Sequence, residues 1–247
     1  MAKGKPGADS LPPVTHQING KNLVDQAISF FGKTPVFWGL YFKQKTTTST
    51  DEYHTDENHL LGSNDIRLLP IGRQTTHVDA GKKTGTQDGR DNAEAVLSVF
   101  GVDYLAAKAT KFLMFLDVEG GNHRLSSDYY TGWAGAVKDR SLELSNEKVE
   151  ILPAVYATQG DTPTWKAIVK SGMPCAGAWV ARWPKSGCMA LLDWSKFKPP
   201  TVAIPCDVLI WQYSDDCLGG SGFDCNEVNP NIDLNKDLLA KLIPVPA

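Results

Sequence analysis

Asp117, Val118 and Glu119 close the apolar run FLMFLDVE, and two glycines follow at once. Side chains two apart on a strand share a face, so as a strand this run points both acids the same way. Two carboxylates held that close resist joint ionisation, which raises the pKa of one of them. A raised acid donates a proton near neutral pH, while its ionised neighbour steadies positive charge or serves as nucleophile or base. Cleavage of a glycosidic bond needs that division of labour. The plainer alternative is a solvated strand end, with one acid paired to Arg73 or Arg124.

The elements that must position such a pair follow from the hydrophobic pattern. Apolar runs of strand length occur at 36–42, 66–72, 111–119, 150–157, 177–183 and 208–214. They are continuous rather than alternating, as in buried parallel strands with both faces covered. Between them the spacing predicts helices over 92–101, 126–140 and 162–172, with a helix over 21–31 before them and one over 235–243 after. Ser126 or Ser127 is the expected cap of the 126–140 helix; Thr162 as cap, Pro163 and Gly172 bracket the next. Residues 44–58 read as loop or a poorly ordered helix, and 81–91 as loop. Strands alternating with helices imply βαβ units and a mainly parallel sheet. No GxGxxG or GxxxxGK[ST] motif favours a nucleotide-binding sheet. A (β/α)8 barrel of TIM type fits the length, with the two missing strands expected near 75–79 and 104–108. Residues 1–20, rich in Pro and Gly, read as a flexible tail before a single barrel domain over 21–247; they contain no apolar segment of the secretory-signal kind.

Barrel chemistry lies at the carboxyl ends of the strands. These deliver Tyr41, Lys43 and Gln44, then Arg73 and Gln74, then Asp117 and Glu119. After them come Tyr156, Thr158 and Gln159, then Trp179, Arg182 and Trp183, and finally Trp211, Gln212, Tyr213, Asp215 and Asp216. Acids, amides and aromatics dominate; sugar rings present C–H faces that stack on Trp and Tyr. Asp215 and Asp216 could bind substrate, or join Asp224 and Glu227 around calcium, but solvated loop is the simpler reading. Trp133 and Trp165 fall at core-facing helical spacing. A net charge of −3 gives no field for nucleic acid or anionic lipid, and no run of 18 apolar residues offers a membrane span. The five cysteines lack zinc-site spacing. Cys217 and Cys225, flanking a glycine-rich loop, are the best candidates for a disulfide, although five reduced thiols fit as well.

FLDVEG (115–120), ILPAVYAT (151–158), GAWVARW (177–183), WQYS (211–214) and NIDLN (231–235) occur in that order. Together they resemble the family-25 glycoside hydrolases, lysozyme-like muramidases. They resemble still more a related set of bacterial glycoside-hydrolase-like domains, as does RLLPIGRQT (67–75) followed by GTQDGRDNAEAVLSVFG. The resemblance spans about residues 35–243. It implies an α/β barrel, often irregular, acting on the glycosidic bond after N-acetylmuramic acid in peptidoglycan without metal or organic cofactor. Carried across, Glu119 is the general acid, Asp117 its partner and Asp233 a third carboxylate. Tyr156, Trp179, Trp211 and Gln212 shape the sugar subsite, with Tyr41, Arg73 and Gln74 beside it. One departure matters. The active family ends its first strand in Gly-x-Asp, and the strand read as first here ends Gly39-Leu40-Tyr41. That leaves three readings: a route assisted by the substrate's own N-acetyl oxygen, hydrolysis of another glycan, or a glycan-binding barrel without chemistry. Each implies a monomer acting on a glycan outside the cytoplasm, exported without a standard signal.

Overall fold

The computed structural model describes residues 4–43, 53–73, 76–119, 123–184, 188–189, 192–219 and 222–246. Gln44, Gln74 and the side chain of Asp216 lie outside the described residues. Eight strands form a closed ring: β1 (Pro6–Asp9), β2 (Phe37–Tyr41), β3 (Arg67–Gly72), β4 (Lys111–Val118), β5 (Glu150–Thr158), β6 (Ala178–Ala181), β7 (Val208–Cys217) and β8 (Phe223–Val228). Each strand pairs with its sequence neighbour, and β8 closes onto β1. All pairings in the ring are parallel except the two made by β8, which runs antiparallel to both β7 and β1. The fold is an irregular α/β barrel of TIM type.

Two strands stand where the sequence reading put none. Residues 6–9 are a barrel strand, not part of a flexible tail, and Ala8 and Asp9 are buried. Proline tolerates the first position of a strand, where its missing N–H is not needed. Gly7 is required by crowding, because a Cβ there would stand 2.1 Å from the Phe37 ring. The other unforeseen strand is β8. Of the segments near 75–79 and 104–108, residues 76–79 are instead turn and 104–108 helix; Thr75 lies outside the described residues.

Outside the barrel lie α1 (Leu23–Phe31), α2 (Asn58–Ser63), α3 (Lys82–Phe100), α4 (Val102–Lys108), α5 (Ser127–Ser145) and α6 (Thr162–Ser171). Helix α3 begins inside the stretch read as loop. Its glycines serve packing rather than turns. A Cβ on Gly85 would meet the Tyr129 carbonyl at 2.1 Å, one on Gly89 the Trp133 carbonyl at 2.6 Å, and one on Gly132 the Lys82 carbonyl at 2.2 Å. The backbones of α3 and α5 therefore touch almost directly. Buried polar pairs fix their register: Tyr129 Oη donates to Asp88 Oδ2 at 2.7 Å, and Trp133 Nε1 to Asn92 Oδ1 at 2.8 Å. Ser126 caps α5, whereas Asp161, one residue before the expected Thr162, caps α6. The predicted helix over 235–243 is a π-turn at 234–238 and a 3-10 turn at 239–241.

Period-two alternation divides the strands between two cores. Phe37, Leu69, Leu113, Phe115, Ala154, Tyr156 and Trp179 fill the barrel interior. Trp38, Leu40, Leu68, Phe112, Met114, Leu116 and Trp211 face the outer layer, where Trp133 and Trp165 also lie buried. Leu234, Leu238, Leu239 and Leu242 join the interior cluster and plug it at the end where the parallel strands begin. The disulfide differs from the expected one. Cys188 bonds Cys217, and the Cys225 sulfur lies 3.1 Å from that of Cys217.

Candidate active site

At the opposite end, where the parallel strands finish, the ring opens into a cavity of about 320 Å3. Asp117 and Glu119 both line it, joined by Tyr41 from the end of β2 and Arg73 just beyond β3. Two further carboxylates come from the strands that were not foreseen: Asp9 ends β1, and Asp224 lies opposite it at the start of β8. Because β8 runs antiparallel, its beginning rather than its end reaches the mouth. Gly39 leaves space for Asp9; a Cβ there would stand 2.8 Å from the Asp9 Cβ.

The strand that comes first in the ring thus reads Gly7-Ala8-Asp9. Tyr41 ends the second strand of the ring, not the first. Tyr41 instead lies under Arg73, whose guanidinium carbon is 5.5 Å from its ring centroid.

A chain of hydrogen bonds climbs from the barrel interior to the mouth. Trp179 Nε1 donates to Asn226 Oδ1 at 2.8 Å, and Asn226 Nδ2 donates to Asp9 Oδ1 at 2.6 Å. Gln212 Nε2 donates to Asp9 Oδ1 at 3.3 Å and to Asp224 Oδ2 at 3.1 Å. The Tyr156 hydroxyl donates to Gln212 Oε1 at 2.8 Å and stands 3.3 Å from Glu119 Oε1. Exposed Trp183 donates from Nε1 to the same Gln212 oxygen at 3.3 Å. Below this network the Trp179 ring packs edge-on against Tyr156, Phe115 and Phe37.

Burial, more than crowding, sets the protonation of these acids. It is the first cause of a raised pKa at Asp9, Asp117 and Glu119. Asp9 is pushed up to about 7, against hydrogen bonds from Asn226 and Gln212 that favour its charged form. Asp117, only 2% exposed, is driven well above the carboxylate range by burial, then by the charges of Glu119 and Asp9, with Arg73 opposing. Glu119 opens to solvent at the rim, but the cavity walls still desolvate it enough to raise its pKa; Tyr156 and Arg73 pull the other way. Asp117 Oδ1 is buried and has no hydrogen-bond partner among the described residues. A buried acceptor left open is costly, and Asp117 as a residue lines the cavity.

Three assignments drawn from the resemblance change. Asp233 is exposed and caps the turn at 234–238, accepting from the backbone N–H groups of Asn235 and Lys236; it sits among the plug residues, away from the cavity. Trp211 points outward, donates to the Arg182 carbonyl at 2.8 Å and packs on Trp194 and Phe197. Trp179 supports the cavity from below without lining it. Tyr156 and Gln212 belong to the hydrogen-bond chain, and Arg73 lines the wall. His123 pairs with Asp79 and Arg124 with Asp161, so neither holds the acid pair. Sequence reasoning missed Asp9 and named Asp224 only as a possible calcium ligand, not as a neighbour of the acid pair. For Asp9 the signal was present as G-x-D before the first helix; for Asp224 nothing in FDCNEV marks a site acid.

No family model matches the chain, and no curated protein matches it. Solved structures do. An uncharacterized B. stearothermophilus protein is 19% identical over 97% of this chain and all of its own, with a TM-score of 0.63. The Tat-secreted Mycobacterium tuberculosis protein Rv2525c is 15% identical over 91% of this chain and 95% of its own, with a TM-score of 0.54. A family GH25 lysozyme from Aspergillus fumigatus is 16% identical over 94% of this chain and 98% of its own, with a TM-score of 0.53. The barrel is of the kind found in family-25 lysozymes. At such identities the likeness concerns the fold alone.

Proposed function

We propose that the protein is a glycoside hydrolase acting on peptidoglycan or a related N-acetylated glycan. The observation that carries this reading is the meeting of Asp9, Asp117 and Glu119, all with raised pKa, in one cavity at the mouth of a lysozyme-like barrel. Glu119, at the solvent-open rim and against the Tyr156 hydroxyl, protonates the departing glycosidic oxygen. Asp117, which burial keeps protonated, orients the substrate's acetamido group for attack on the sugar centre. Asp9 adds the first-strand carboxylate and, with Gln212, holds the polar floor in place. Arg73, Tyr41 and Trp183 flank the bound sugar. The reaction needs no metal or organic cofactor, and a glycan is the only partner it requires. The protein works as a monomer outside the cytoplasm; no described helix is long and apolar enough to cross a membrane.

Purified cell-wall sacculi test this directly. Wild type is expected to release new reducing ends. Glu119→Gln is expected to lower release about 10²–10⁴-fold, the usual worth of a general acid, with its melting temperature little changed because the side chain is exposed. Sacculus binding by both proteins with release by neither would leave a glycan-binding barrel and end the hydrolase reading.

A further inference from the structure

Three of the five cysteine sulfurs gather where β7 ends and β8 begins. The ligand atoms of Cys188, Cys217 and Cys225 all lie within 4.8 Å of one another. Cys217 is bonded to Cys188, and the free Cys225 sulfur stands 3.1 Å from the Cys217 sulfur. Cys217 and Cys225 belong to paired strands, with Cys217 opposite Phe223 and Cys225 opposite Ser214, so a bond between them would cross a hairpin that already exists. Cys188 differs from both: it is exposed and lies in the segment after β6, downstream of Trp183. Cys175 and Cys206 make a contrasting pair, 2.6 Å apart, partly buried and outside this three-sulfur group. A third sulfur within reach of a disulfide is the arrangement that thiol–disulfide exchange requires, because exchange proceeds by attack of a thiolate on one sulfur of the bond.

We propose that Cys188, Cys217 and Cys225 form an internal thiol–disulfide exchange site in which Cys225 displaces Cys188 from Cys217. The Cys225 thiol gives its proton to water, and the thiolate attacks Cys217 Sγ. The Cys217–Cys225 bond forms as the Cys188–Cys217 bond breaks, and the electron pair leaves on Cys188, which takes a proton from solvent. One disulfide and one thiol are present before and after, so no external oxidant or reductant enters. The thiol has moved from a buried position to an exposed one. Cys188 then becomes the group open to modification by alkylating agents or small disulfides, and the segment that carries Trp183 toward Gln212 is no longer tied to β7. Burial pushes the Cys225 thiol up, which keeps its thiolate scarce. Exchange is therefore expected on the minutes-to-hours scale of uncatalysed disulfide rearrangement.

The test uses the full-length folded protein, purified without reductant and incubated for hours with iodoacetamide, then digested without reduction and mapped by mass spectrometry. Alkylation of Cys188 withdraws one isomer, so the Cys188–Cys217 peptide should decline as labelled Cys188 and the Cys217–Cys225 peptide rise together. In Cys225→Ser, labelling of Cys188 should be lost and the Cys188–Cys217 bond should persist. The proposal is overturned if the Cys188–Cys217 peptide remains unchanged, if Cys225 is labelled in place of Cys188, or if only the Cys217–Cys225 peptide is found at every time. Equal labelling of Cys188 in Cys225→Ser overturns it too. Should Cys225→Ser fail to fold, the wild-type time course decides alone. None of these readouts depends on glycan cleavage.

Discussion

The two ends of the barrel differ in kind. The lower end holds the larger cavity, about 670 Å3, bordered by Thr34, Arg67, Lys108, Asn235 and Leu239; its single lining acid, Asp65, lies beside Arg67. Leucines of the C-terminal turns seal the barrel interior there. The upper cavity has half the volume and four lining carboxylates, three of them with raised pKa, above a buried acceptor with no partner. Size does not separate the two. Charge does: the lower cavity is lined by one acid beside an arginine, and the upper one gathers four carboxylates. Such a mouth lowers the stability of the fold, and the apolar plug and interior offset it.

Removing the support between the two ends should have the largest effect. Trp179→Ala empties the ring that packs on Tyr156, Phe115 and Phe37 and also drops the donor to Asn226. We expect a loss of about 3–5 kcal/mol in denaturant unfolding, with glycan release abolished. Trp179→Phe keeps most of the packing, so it should cost about 1 kcal/mol in stability while lowering release by a larger factor.

A middle-sized effect, of opposite sign, is expected at Asp9. Its pKa is raised from 3.8 to about 7 in the folded state. Between those values the folded chain binds a proton that the unfolded chain has lost, so stability falls as pH rises from about 4 to 7 and levels off above. Asp9→Asn removes this term. At pH 8 it should be more stable than wild type by about 2–4 kcal/mol, with a flatter stability–pH curve and impaired glycan release. Buried Glu57, also pushed up to about 7, lies outside the cavity and leaves part of the slope in place. Equal pH slopes in Asp9→Asn and wild type would remove Asp9 from the set of raised acids.

The smallest effect belongs to the lower end. Asp233→Ala loses a cap and should cost about 1 kcal/mol, with glycan release unchanged. A large loss of release at intact stability would restore to Asp233 the role that the family resemblance suggested.

The helical and parallel parts of the fold were legible because their patterns are long. FLMFLDVE and ILPAVYAT each carry enough apolar residues to mark a buried strand, and both led to the mouth, bringing Asp117, Glu119 and Tyr156 with them. The two strands that completed the site were hidden by composition. PGAD has one apolar side chain of modest size and two residues that usually signal turns; it is a strand only because Phe37 fills the space beside Gly7. FDCNEV alternates correctly but sits next to a glycine-rich loop and a run of acids. Helix α3 was read short because glycines at 85 and 89 look like breakers, and their purpose is visible only once α5 lies against them. Trp211 illustrates a different limit. A strand end shows that a side chain is near the mouth but leaves open which side of the wall it faces, and one position of register decides that.

The position of β1 bears on how the protein is handled. Pro6 to Asp9 is a full stave of the cask, held at its foot where the Gly4 amide donates to the Glu227 carboxylate. Trimming the first nine residues as a dispensable leader would unhoop the ring between β2 and β8 and discard an acid of the mouth in the same cut. An affinity tag joined ahead of Gly4 would enter from the sealed end, well clear of the acid-lined mouth.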